Sequence, residues 1–209
     1  MSKFKRVRDH RNKITVRTLL QLTAAVITSL AGGIGANAAD QPLEYRVLAT
    51  SRTSTMEKEL NESAAAGYRF SKAMGGKSAN GGQEIIVAMV KDSTPSGQGL
   101  RKYRLLATTK TSTMQKEMQQ SADEGYAYLD QTVYESAFGG KEVVVIMELD
   151  PSKKDIRSTY RLLATTKTST MQKELQEAGA QGYVLMGLTV GKTELGGDEV
   201  VTILRRDDL

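Results

Sequence analysis

Cysteine and tryptophan are absent from this chain of 209 residues, and histidine occurs once, at His10. Without thiols there is no disulfide framework, no thiolate nucleophile and no cysteine-ligated zinc. Because His10 lies in the first 38 residues, the other 171 have no imidazole, which excludes Ser-His-Asp and Cys-His catalysis as well. Basic excess is also missing from most of the chain. Seven of the 29 Lys and Arg but only one of the 24 acids lie before residue 39, so 22 bases face 23 acids in the remainder. The formal charge of +5 thus belongs to the N-terminal segment. Counterion release on nucleic acid or an acidic membrane needs a concentrated Lys/Arg surface, and the body of the chain does not supply one.

What the first 38 residues do contain is ordered like an export signal. Lys3, Lys5, Arg6, Arg8, Arg11, Lys13 and Arg17 precede an uncharged apolar run over 18–35, followed by Ala36-Asn37-Ala38 as a small-x-small cleavage site. Gln21, four Thr or Ser and three glycines within the run suit a cleaved signal better than a permanent span. No cysteine follows for lipid attachment, and no Arg-Arg pair precedes the run. The expected product is soluble, periplasmic or secreted, with no membrane contact after cleavage.

The remainder is written three times. The windows 45–90, 103–148 and 160–205 align without a gap, and sixteen of their columns are identical in all three: Y-R-x-L-A-T, T-S-T-M-x-K-E, G-Y and G-G-x-E. Chance does not produce such a match. Pro42, Pro95 and Pro151 are the only prolines, and each stands just outside a window. The domain reading is a signal peptide over 1–38 and repeats over 43–92, 101–150 and 158–207, joined by breaker-rich connections.

Each repeat predicts strand, helix, strand, strand. Alternation marks the first strand. Ser54 with Glu57, Ser112 with Gln115 and Ser169 with Gln172 have the spacing of a capping box and predict the helix start. A narrow apolar stripe follows: Met56, Leu60 and Ala64; Met114, Met118 and Ala122; Met171, Leu175 and Gly179. Gly67, Gly125 and Gly182 supply the left-handed residue that ends a helix, and Tyr68, Tyr126 and Tyr183 then open the second strand. The glycine pairs 81–82, 139–140 and 196–197 fit two-residue hairpin turns. The third strand is apolar on both faces and belongs in the middle of its sheet. The fold class is therefore α+β: three tandem β-α-β-β repeats, each a three-stranded sheet of order 1-3-2 with one helix on one face, reached by a right-handed crossover. The other face is uncovered, and a unit of about 50 residues buries too little alone. Packing of the repeats on one another is expected, with homo-oligomerisation through uncovered sheet faces as the alternative.

Candidate chemistry gathers in few places. Arg52 and Ser54, Lys110 and Ser112, and Lys167 and Ser169 stand at helix starts, where free N–H groups favour an anion, although no glycine lets the backbone wrap a phosphate. Thr113 and Lys116 brush against the S-x-x-K hydrolase pattern without its companion motifs. The pairs Glu59 with Glu84, Glu117 with Glu142 and Glu174 with Glu199 could serve as acid and base or hold a hard cation; no metal or other cofactor is expected, because too few oxygen ligands accompany them. Phe70, Tyr128, Tyr134 and Phe138 break the triplicate pattern and are the candidate binding surface for an unknown protein or small ligand outside the inner membrane.

A Tyr-led strand, an amphipathic helix, a Gly-aromatic pair opening strand two and a glycine-rich hairpin resemble a short bacterial domain of unknown function. That family usually has Gly-Trp where this chain has Gly67-Tyr68, Gly125-Tyr126 and Gly182-Tyr183. The resemblance covers each repeat and implies no catalytic residue. Active sites gather unlike residues in one cleft, whereas this chain triplicates like residues. The expected function is an exported, non-enzymatic tandem-repeat protein with a structural or binding role; the alternative is an exported hydrolase using Glu or Ser/Lys groups.

Overall fold

A computed structural model describes residues 42–77, 82–91, 100–135, 141–153, 157–192 and 197–207. The export segment, the glycine pairs other than Gly82 and Gly197, and Phe138 lie outside these described residues. Repeat 1 comprises β1 (Glu44–Thr50), α1 (Thr53–Ala65), β2 (Arg69–Lys77) and β3 (Gln83–Lys91). Repeat 2 comprises β4 (Lys102–Thr108), α2 (Thr111–Asp123), β5 (Ala127–Glu135) and β6 (Lys141–Leu149). Repeat 3 comprises β7 (Ser158–Thr165), α3 (Thr168–Ala180), β8 (Val184–Lys192) and β9 (Asp198–Asp207). The sheets have the orders β1-β3-β2, β4-β6-β5 and β7-β9-β8, with the third strand of each repeat central and antiparallel to both neighbours. The fold class read from the sequence is the one observed.

Local signals explain most of the boundaries. Gly67, Gly125 and Gly182 have φ of 90°, 89° and 82°, a conformation costly for any residue with a Cβ. They permit Tyr68, Tyr126 and Tyr183 to donate their N–H groups back to Ser63, Ser121 and Ala178, the hydrogen-bond pattern of a Schellman stop. Those tyrosines therefore close the helices, and the second strands begin one residue later than expected. An arginine guanidinium then lies over each ring: Arg46 at 4.1 Å from the Tyr68 centroid, Arg104 at 4.3 Å from Tyr126 and Arg206 at 5.0 Å from Tyr183.

One local expectation needs correction. The capping residues are Arg52, Lys110 and Lys167, and no side chain caps any of the three helices. Instead, Thr50, Thr108 and Thr165 accept hydrogen bonds from the backbone N–H two residues on, shaping the turn from the strand side. Strand pairing is described as far as Lys77 with Gln83, Glu135 with Lys141 and Lys192 with Asp198. The expected glycine-pair turns lie between these positions, outside the described residues apart from Gly82 and Gly197.

The helix stripes are buried as expected in the first two repeats: Met56, Leu60 and Ala64, then Met114, Met118 and Ala122. Each buried Met or Leu contributes about 1.5–3 kcal/mol. In repeat 3 the stripe is thinner, because Met171 and Ala178 are buried, Leu175 only partly so, and Gly179 faces solvent in place of the expected last member. A fourth helix column carries Ser63 and Ser121, both buried and both accepting from an arginine of the first strand, Arg46 and Arg104.

Packing between repeats runs in one direction. The core of α1 and the β1-β3-β2 sheet continues through Tyr103, Val144 and Ile146 of repeat 2. Likewise the core of α2 and the β4-β6-β5 sheet continues through Tyr160, Leu162, Val201 and Ile203 of repeat 3. The helix side of one sheet thus covers the bare side of the next, and the expected need for a second cover is met within the chain for repeats 2 and 3.

Candidate functional site

Polar side chains at corresponding, though mostly not identical, positions of the repeats meet at these joints. Asn61 on α1 accepts from the Tyr103 N–H at 2.9 Å and donates to the Tyr103 carbonyl at 2.9 Å, matching both edge groups of one β4 residue. Glu57, one turn earlier, accepts from the Leu105 N–H at 2.9 Å. At the second joint Gln119 and Gln115 accept from the Tyr160 and Leu162 N–H groups at 3.0 and 3.1 Å, and Gln119 donates to the Ser158 carbonyl at 3.3 Å. Carboxylate and amide oxygens spaced four apart on a helix follow an edge strand, because one helical turn rises about 5.4 Å and outward N–H groups recur every second strand residue. This is why Glu57 and Gln115 do not close capping boxes.

Tyrosine hydroxyls complete each joint from the other side. The Tyr103 hydroxyl accepts from the Phe70 N–H at 2.9 Å and donates to Glu148 at 3.1 Å, and the Tyr160 hydroxyl accepts from the Tyr128 N–H at 2.8 Å. Burial raises the Tyr103, Tyr128 and Tyr160 hydroxyls above the usual phenol range, so they stay neutral. Asp130 and Thr132 accept from Ala73 and Gly75 along the β2 edge, at 3.2 and 2.6 Å.

A charged knot sits where the connections leave repeat 2. Arg101 lies 3.1 Å from Asp150 and 3.4 Å from Glu148, and Lys153 lies 3.1 Å from Glu148. Both carboxylates are buried. Burial pushes the Asp150 carboxyl up, but hydrogen bonds from the Ser152 hydroxyl and N–H, helped by Arg101 and Lys153, outweigh it and hold the group below its ordinary value. A carboxyl with a depressed folded pKa stabilises the fold above its unfolded value and loses that contribution as pH falls through the folded one. Thermal unfolding should therefore show a drop in stability as pH is lowered from 5 towards 2, and Asp150→Asn should flatten that drop; an unchanged slope in the variant would refute the assignment.

Beside the knot opens a groove of about 730 Å³ between repeats 2 and 3, lined among others by Tyr126, Glu148, Asp150, Lys153, Ser158 and Asp207. Its size suits a small molecule. Its carboxylates are nevertheless engaged: Glu124 with Arg104 at 2.6 Å, Asp123 with Gln119 at 2.9 Å, and Asp207 with Arg205 at 3.0 Å. Among the described residues no group of three or more His, Cys, Asp or Glu could hold a metal ion.

Comparison of the chain with family models, with curated proteins and with solved structures gives no match. The geometry alone places the expected site residues. Arg52 and Ser54, Lys110 and Ser112, and Lys167 and Ser169 all lie exposed at three separate helix starts. The hollow next to Lys110, Thr111 and Glu199 measures about 10 Å³, about one water. Tyr128 is buried at the second joint and Phe70 is partly buried against the first core, so neither offers the aromatic face expected of a binding surface. Tyr134 lies on β5. Glu199 turns to the Thr111 hydroxyl of repeat 2 at 3.3 Å. The joint residues Asn61, Gln119, Asp130 and Thr132 were not legible as partners, since one polar letter on a helix or strand carries no local cue to a neighbour some 40 to 60 residues away.

Proposed function

We propose that this chain is a non-enzymatic module acting outside the inner membrane, in which triplication builds one continuous stack for a structural or binding role. The observation that carries this reading is the placement of polar side chains at corresponding positions of the repeats in the inter-repeat joints. Glu57, Asn61, Gln115, Gln119, Tyr103 and Tyr160 are spent on backbone groups of the neighbouring repeat. A side chain held to a buried backbone partner is poorly placed to exchange protons or attack a substrate. The export-like order of the first 38 residues supports the location, and among the described residues no helix is long and apolar enough to cross a membrane. The groove between repeats 2 and 3 is the place for a small ligand, should the role be binding.

The competing hydrolase reading needs Lys116 and the glutamates. A strain lacking the protein should be restored by the double variant Lys116→Ala, Glu117→Ala as fully as by the parent chain. Loss of restoration by a variant that still folds, judged by circular dichroism, would favour the hydrolase.

A further inference from the structure

We infer that the two ends of the stack are complementary and that the chain binds a second copy of itself head to tail. The inference rests on the stacking role above and names its partner. Every internal joint has two halves. One is a helix half, formed by a helix and the outer edge of the second strand. The other is an edge half, formed by the outer edge of the first strand and the bare sheet face. Three repeats make two joints and leave one half of each kind unused: α3 with β8 at the tail, and β1 with the bare face of the β1-β3-β2 sheet at the head.

The unused halves keep the features of the used ones. At the tail, Gln172 and Gln176 occupy the positions of Glu57 and Asn61 and of Gln115 and Gln119, and both are exposed on α3. At the head, the N–H groups of Tyr45 and Val47 correspond to those of Tyr103 and Leu105, and no side chain among the described residues takes them up. Exposure differs accordingly. Tyr45 is 62% exposed where Tyr103 and Tyr160 are 2%, Val47 is 67% where Leu162 is 8%, and Leu185 is 48% where Tyr128 is 7%. Stacked repeats ordinarily end on polar surfaces that stop the stack, and these ends present Tyr45, Val47 and Met74 on one side and Leu185, Leu188 and Val190 on the other. A second copy supplies what each end lacks: glutamines for the β1 edge, a Tyr45 hydroxyl for the Leu185 N–H, and an apolar face for an apolar face.

The match departs in places: Met74 stands where repeats 2 and 3 have Thr132 and Thr189. Lys72 stands where repeat 3 has Gly187, and it is held by Asp130 at 3.1 Å. Opposite it Leu188 replaces Gln131, whose buried amide has no hydrogen-bond partner at the second joint. The open joint is thus more apolar than the closed ones. Because its halves differ, it is heterologous, and copies add in sequence to give rings or open chains.

Complementation between blocked ends tests this directly. The full chain, recovered from cells in its natural form, should show an average mass that rises with concentration in sedimentation or light scattering. Val47→Lys blocks the head and Leu188→Lys the tail; both positions are exposed, so folding is kept, as circular dichroism would check. Each variant alone should stay monomeric, and an equimolar mixture should reach about twice the monomer mass and stop. A parent chain monomeric at all concentrations, as when its own N-terminal segment covers the head, overturns the inference and leaves the stacking role standing. A tail-blocked variant that still dimerises overturns it as well, since that would be symmetric pairing of heads.

Discussion

Gly75→Ala should cost about 3 kcal/mol of stability, while Gly76→Ala one residue on should change it by no more than about 0.5 kcal/mol. A Cβ at Gly75 would land on the Val133 carbonyl oxygen and crowd the Thr132 hydroxyl, which already accepts from the Gly75 N–H. That oxygen is backbone in β5 and cannot swing aside, so β2 would have to back away from repeat 2 and release the Ala73 and Gly75 hydrogen bonds with it. At Gly76 nothing lies within 4 Å of an added Cβ. Urea unfolding followed by circular dichroism measures both variants, and equal midpoints would show that the first joint is looser than described.

Identical letters should likewise give unlike results at Tyr45 and Tyr103. Tyr103→Ala is expected to cost about 4 kcal/mol, because it empties a buried site shared by two repeats and leaves the Phe70 N–H without its acceptor. Tyr45→Ala, measured in dilute solution, should fall within about 0.5 kcal/mol, since that ring is 62% exposed. Tyr103→Phe separates the two causes. It keeps the ring and removes the hydroxyl, and should cost about 1–3 kcal/mol, chiefly through the unpaired Phe70 N–H, since Glu148 keeps Arg101 and Lys153. A Tyr45 variant as damaging as the Tyr103 variant would mean that the head is covered.

The contrast between those tyrosines marks where reading from sequence stops. Gly67, Gly125 and Gly182 were legible as helix ends because the conformation they adopt is local and few other residues tolerate it. Strand order was legible because β3, β6 and β9 are apolar on both faces, and only a central strand is buried on both. The capping boxes misled because Glu57 and Gln115 sit where a side chain can turn back to its own helix or out to the next strand, and the spacing is the same for both. The unpartnered edges of β4 for Glu57 and of β7 for Gln115 decide between them, and they come from residues beyond the repeat. Ser63 and Ser121 were missed because a buried hydroxyl on a helix makes sense only once an arginine from the first strand reaches it. The knot of Arg101, Glu148, Asp150 and Lys153 was missed because repetition drew attention to shared columns, and its members are unshared.

Each joint spans only adjacent repeats and uses the same two halves, so the architecture sets no fixed length. Recombination between the related segments would delete or add one whole unit and leave a chain of two or four built on the same kind of seam. A gene built this way can change the reach of its product in steps of one unit without first passing through a misfolded intermediate.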